Sequence, residues 1–179
     1  QLYRKLLDLP IVVPANILWY TLDMDIEIEP ERMAAWEALI RTVGSLLKTF
    51  ERELQDSEGL PLTWYDVLIQ LHESAEGRLR MQALAESVVL SRSGLTRLID
   101  RMEKAGLVRR EPAQEDRRGH YAVITEGGRQ TYLRARPLHH RGIYEHFTRH
   151  LDDADVQALQ TALAKVSKAN QALLDTGRS

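Results

Sequence analysis

The sequence predicts a mainly α-helical chain with one small β-hairpin, and three observations predict it. Apolar residues recur at spacings of three and four along most of the length, the period of helices with one buried face. Two short helical patterns, over 81–88 and 91–105, sit only a few residues apart. Two runs that read as strands, LVRREP (107–112) and HYAVIT (120–125), flank a highly charged loop that ends in the turn residue Gly119.

Residues 1–29 read as an N-terminal arm or an extra helix. Leu2, Leu6, Leu7 and Leu9 make an apolar turn that Pro10 ends, because the residue before a proline is pushed out of the α region. From Glu31 to about Gln55 the pattern is a long helix with Pro30 at its first turn. Met33, Trp36, Leu39, Ile40, Val43, Leu46, Leu47, Phe50 and Leu54 give it an apolar face too broad for one partner. After DSEGLP, Thr63 reads as the N-cap of a second helix, with Asp66 as its capping-box partner. RLRM reads as a short strand that leads into the helix MQALAESV. Ser91 caps the next helix, whose inner stripe is Leu95, Leu98, Ile99 and Met102. Gly106 suits a left-handed position after that helix, with Leu107 folding back. Thr125 caps a helix in which Pro137 should produce a kink or a break. Asp152 or Asp153 caps the last helix, striped by Val156, Leu159, Leu163, Val166 and Leu173.

Composition limits the function classes. The chain has 179 residues, 44% of them hydrophobic, which is enough for a packed core. No apolar run approaches the ~18 residues of a membrane span, and no secretory signal pattern is read at the start. Cysteine is absent, so disulfides and thiol-based metal or redox sites are excluded, and a cytoplasmic location is the expectation. There is no Gly-rich phosphate loop, G-x-S-x-G or H-E-x-x-H, and no other set of residues that looks catalytic. The reading is therefore not an enzyme, with no cofactor. Net charge is −2, but it is unevenly spread. Residues 1–60 carry six Lys/Arg against eleven Asp/Glu, whereas 91–118 carry eight against five. Local charge rather than the total is the electrostatic footprint for nucleic acid.

Those positive residues sit where a DNA reader would need them. A recognition helix has one side that holds it on its domain and another that offers short polar or Arg side chains, above all in its first turns. Ser91, Arg92, Ser93, Thr96 and Arg97 meet that requirement. Arginine can take guanine O6 and N7 in a bidentate contact, and Ser or Thr suits bases or phosphates. The hairpin loop supplies Arg117 and Arg118, which can enter a narrow minor groove, with Asp116 placed to orient Arg118. The fold class is thus a winged helix-turn-helix domain (61–125) flanked by helical regions (30–60 and 126–179) whose broad apolar faces fit a dimerisation region.

LSRSGLTRLIDRMEKAGLVRREPAQEDRRGHYAVITEGGR resembles the winged helix-turn-helix of the MarR family of bacterial transcription regulators. LSRSGLTRLIDRMEKAGLVRR matches that family's recognition helix and following strand, Asp116-Arg117-Arg118 its wing D-x-R, and YAVITEGGR the return strand and next helix start. The resemblance covers about Glu31 to Leu174. It implies a homodimer built from the first and last two helices, a pseudo-palindromic double-stranded DNA operator, and a repressor released by a small aromatic or anionic effector. The style is nearest to the urate-responsive group, which adds an N-terminal helix and binds its ligand with a Trp, an Asp and two Arg. Carried onto this chain, that set is Trp19 or else Trp36, with Asp66, Arg97 and Arg109; the segment between Trp19 and Trp36 is longer than that group's pattern.

Two other readings are open. The acidic first 60 residues would also suit a helical interaction dimer without DNA binding. His139, His140, His146 and His150 lie on one helical pattern, and the i, i+4 spacing of His146 and His150 can chelate zinc, which would make a zinc-responsive regulator. With no third ligand in sight and no cysteine, no metal site is assigned.

Overall fold

The computed structural model describes residues 27–88, 91–113 and 119–176. In order, the elements are α1 (Pro30–Glu58), α2 (Leu62–Glu73), β1 (Arg78–Arg80), α3 (Met81–Ser87), α4 (Arg92–Lys104), β2 (Val108–Pro112), β3 (His120–Ile124), α5 (Glu126–His146) and α6 (Asp153–Thr176). A single 3₁₀ turn, Thr148–His150, lies between α5 and α6. The chain divides into two compact units, one running through His139 and the other from His140.

The first unit is built on a three-stranded antiparallel sheet of order β1-β3-β2. The expected hairpin forms, with Val108 opposite Ile124 and Pro112 opposite His120. The short strand expected near RLRM pairs with its far side, setting Arg78 opposite Val123 and Arg80 opposite Tyr121. Strand alternation then sorts the residues. Ala122, Ile124 and Val108 face the helices and join the core with Leu54, Val67, Leu68, Leu71, Leu84, Leu95, Ile99 and Met102. An aromatic cluster ties α1, α2 and the first part of α5 together: His139 meets Phe50 at 5.2 Å and Tyr65 at 4.7 Å, and Tyr132 meets Tyr65 at 5.9 Å and His72 at 4.3 Å. Burial pushes the Tyr65 hydroxyl well above its ordinary value, and the neighbouring Tyr132 adds to this.

Turn chemistry closes the frame. Gly106 adopts φ 74°, its N–H donates to the Glu103 carbonyl, and the Leu107 N–H donates to that of Met102. This is the paired left-handed stop expected at the end of α4. Thr125 caps α5 as expected, its Oγ1 accepting from the Gly128 N–H at 3.0 Å. The same hydroxyl donates to the Gly106 carbonyl at 2.6 Å, which locks the start of α5 onto the end of α4.

Three local expectations need correction. Thr63 does not cap the second helix, so Asp66 is not its capping-box partner: α2 starts at Leu62, without a side-chain cap from its own N-cap residue Pro61. The first turn is served from α1 instead, where Glu51 Oε2 accepts from the Leu62 N–H at 2.8 Å. Of the kink or break expected at Pro137, the break does not occur: α5 runs unbroken from Glu126 to His146. The proline forfeits one bond, to the carbonyl of Leu133; Leu133 lies on an exposed face, where water can serve that oxygen. His146 and His150 do not share a helix, because α5 ends at His146 and His150 falls in the 3₁₀ turn. The i, i+4 chelating geometry is thereby lost, and among the described residues no group of three or more His, Asp or Glu is placed to hold a metal ion.

In the second unit, Asp152 and Asp155 exchange a reciprocal pair, Asp155 N–H to Asp152 Oδ1 at 2.9 Å and Asp152 N–H to Asp155 Oδ2 at 3.2 Å. This is a capping box for α6, so Asp152 is its cap. Val156, Leu163 and Val166 are exposed along α6, as Trp36, Leu39, Val43 and Leu47 are along α1. No helix among the described residues is long and apolar enough to cross a membrane.

Candidate nucleic-acid interface

Helix α4 is held by one face and free on the other. Leu95, Leu98, Ile99 and Met102 are fully or almost fully buried, while Ser93, Thr96 and Arg97 are exposed. Its start is fixed by Ser91, whose Oγ accepts from the Gly94 N–H at 3.0 Å and lies 3.3 Å from the Ser93 hydroxyl. Arg92 is the first helical residue. Arg97 makes no hydrogen bond or ion pair among the described residues, so a free cation stands two turns into an exposed helix. Replacing Ser91 by Ala should cost about 1 kcal/mol, the usual worth of such a cap. Chemical denaturation of Ser91→Ala beside Ser93→Ala checks this; equal stability of the two variants would contradict the cap.

The arginines of β2 take different jobs because strand neighbours face opposite ways. Arg110 turns to α4. Its Nη2 donates to the Thr96 carbonyl at 3.0 Å, Nη1 pairs with Asp100, and its backbone N–H donates to Glu103 Oε1 at 3.0 Å. Arg110 thus fastens the wing strand to about two turns of the helix. Sequence reasoning gave Arg110 no role. The usable signals were the strand alternation and the i, i+3 spacing of Asp100 and Glu103, which presents two carboxylates to one basic partner. Arg109 points to the other side of the sheet and is held by Glu111, its Nε donating to Oε1 at 3.0 Å.

The ladder reaches the root of the wing, where the Ala113 N–H donates to the Gly119 carbonyl at 2.9 Å. Asp116, Arg117 and Arg118 lie outside the described residues, as does Trp19. Of the remaining residues considered for a ligand, Trp36 stands exposed on α1, and Asp66 lines a groove of about 230 Å³ with Ile69, Gln70, Ser87 and Val88. Arg97 and Arg109 are not among the residues that line it.

Asp66 is half-buried, and burial, reinforced by the negative charge of Glu51, pushes its carboxyl up to about 6. The native state therefore holds this proton more tightly than the unfolded chain, whose Asp titrates near 3.9. The stabilisation is complete below about pH 4 and is lost as pH rises through 6. An elevation of this size corresponds to ~3 kcal/mol for an enclosed carboxyl, which solvent screening of a half-buried one trims to about 2 kcal/mol. Asp66→Asn should therefore be more stable than the parent at pH 7 and match it near pH 4. Denaturation at both pH values checks this; a constant difference between the proteins would contradict it.

A family model described as "MarR family" matches residues 58–119. AbsC, a MarR family transcriptional regulator from Streptomyces coelicolor, is 34% identical with a TM-score of 0.76 over 82% of this chain and 98% of its own. Sco3205, a MarR family regulator of the same organism whose structure is a complex with DNA, is 30% identical with a TM-score of 0.75 over 80% of this chain and 90% of its own. The HTH-type transcriptional regulator YfiV of Bacillus subtilis is 36% identical over 69 residues, which span 38% of each chain.

Proposed function

Because this chain belongs to the MarR family of DNA-binding transcription regulators, we propose that it is a homodimeric repressor whose α4 and wing read a pseudo-palindromic operator, and that a small aromatic or anionic ligand releases it. The observation that carries this reading is the division of α4: a wholly buried apolar stripe, with Ser93, Thr96 and Arg97 exposed and Arg97 without an ion-pair partner among the described residues. In this reading residues 61–125 bind DNA, and 30–60 with 126–179 form the dimer. The exposed apolar stripes of α1 and α6 support the dimer, since large apolar residues in rows on a surface mark contact sites. A two-fold protein matches a two-fold operator, with half-sites one helical turn apart.

The effector site that fits this reading is the Asp66 groove, whose volume of about 230 Å³ suits a small molecule. Asp66, Gln70 and Ser87 offer it polar groups, and Ile69 and Val88 apolar ones. A ligand releases DNA only by favouring the DNA-incompetent state. Urate and salicylate are the first compounds to titrate, followed by purines, other aromatic acids and zinc, each with and without operator. The expected result is a raised melting temperature together with lost operator binding for one of the organic acids. Stabilisation by zinc alone would instead select metal-responsive regulation. No response to any compound would remove the effector from the account.

The wing assignment has its own test. Arg118→Ala should weaken operator binding at least tenfold, the scale of one lost groove contact at ~1–3 kcal/mol. Unchanged affinity in a gel shift would sink it.

A further inference from the structure

The strand that leads to the wing is set against α4 by one residue. Val108, Arg110 and Pro112 share a face of β2, because alternate residues of a strand point the same way. Val108 is buried in the core with Met102. Two residues on, the same face carries a guanidinium in place of an apolar side chain. Its Nη1 lies 2.5 Å from Asp100 Oδ1 and 3.7 Å from Glu103 Oε2, and its Nη2 donates to the Thr96 carbonyl at 3.0 Å. Ser93, Thr96, Asp100 and Glu103 follow one another at spacings of three and four, so these anchors continue the ridge on which the reading residues stand. Arg110 is mostly covered, whereas Asp100 and Glu103 are partly exposed and stay hydrated. Ion pairs of that kind add little to stability. They fix geometry instead, because a planar fork that reaches a backbone carbonyl and two carboxylates at once has one orientation.

We propose that Arg110 is a positioning residue for DNA reading, one that holds β2 at a set angle to α4 so that the recognition helix and the wing meet their grooves together. The inference rests on the roles proposed above for α4 and the wing. Leverage makes the position effective. A strand advances about 3.4 Å per residue, which puts Arg110 ~10 Å past the turn at Leu107 and the wing root at Ala113 ~20 Å past it. Any tilt of β2 about that turn is therefore about twice as large at the wing root as at Arg110. The guanidinium is taken up by α4, so Arg110 acts on DNA through the wing and not by touching it.

The test is a double-mutant cycle between Arg110 and Arg118 on the duplex that the wild-type protein selects from a random pool. Arg110→Gln removes the fork and keeps the backbone N–H that donates to Glu103. It should bind roughly tenfold more weakly, as Arg118→Ala should, while its melting temperature falls by no more than about 4 °C. Arg110→Gln/Arg118→Ala should bind within about twofold of either single variant, because a wing no longer aimed has little left to lose. Arg110→Gln/Asp100→Asn removes one charge of each sign and should stay as weak as Arg110→Gln. Wild-type affinity in Arg110→Gln, or losses that multiply to about a hundredfold in the double variant, would overturn the positioning role while DNA reading stood. Recovery in the charge-balanced variant would also overturn it, making Arg110 only a neutraliser of Asp100. Wild-type affinity in Arg118→Ala, or failure of the wild-type protein to select any duplex, would overturn the inference together with the reading it rests on.

Discussion

Arg97→Ala should lower affinity for the operator by roughly 10- to 100-fold, the scale of one lost bidentate base contact at ~1–3 kcal/mol, while affinity for random DNA changes little. The asymmetry follows from where the side chain stands. Arg97 projects from the open face of α4 without an ion-pair partner among the described residues, and its helix is held by Leu95, Leu98, Ile99 and Met102 behind it. Removing it should leave the fold intact, because no buried contact goes with it. Fluorescence anisotropy on operator and on random duplex reads both affinities. An equal loss on both would make Arg97 a phosphate contact, because phosphates are met alike on every sequence.

Gly128→Ala should destabilise the protein by about 3 kcal/mol, at the upper end of the cost of overpacking. A Cβ there would lie 2.1 Å from the Leu107 carbonyl oxygen and 2.9 Å from Ile124 Cγ1. The first of these is backbone, and it cannot swing aside. Leu107 is the residue that folds back to end α4, and its carbonyl also accepts from the Thr125 N–H. The substitution therefore pushes apart the end of the recognition helix, the return strand and the start of α5. DNA affinity should fall together with stability, although Gly128 is not proposed to touch DNA. Gly127→Ala is the control: its Cβ would come only to 3.2 Å from the Gly106 oxygen, so the loss should be smaller. Thermal and urea denaturation of the two variants decide it, and similar stabilities would contradict the account of this junction.

What was legible in the sequence was local. The Ser91 cap, the Gly106–Leu107 stop, the Thr125 cap and the stripe of α4 each depend on residues within a turn or two, so residue type and spacing suffice to place them. The same holds for the hairpin, where charged loop and flanking strands are contiguous. What was not legible depends on elements far apart in the chain. Glu51 serves the first turn of α2 from eleven residues away, so the nearer Thr63 read as the cap. Arg110 reaches back fourteen residues to Thr96, and nothing in its own strand separates it from Arg109 except the direction it faces. The tight packing against Gly128 was visible only as part of a family motif, because the oxygen that forbids a side chain belongs to Leu107, in the turn after α4. In the ligand set, Asp66 does line a groove, while Arg97 and Arg109 lie on surfaces that serve α4 and the outer sheet face.

The most direct test of DNA reading by α4 and the wing is selection of duplexes from a random pool by the purified protein, followed by footprinting on the winner. The expected winner is an inverted repeat with half-sites one helical turn, ~10 base pairs, apart, bound at least a thousandfold more tightly than random DNA at physiological salt. No enriched sequence, or an enriched one bound no better than random DNA, would contradict it.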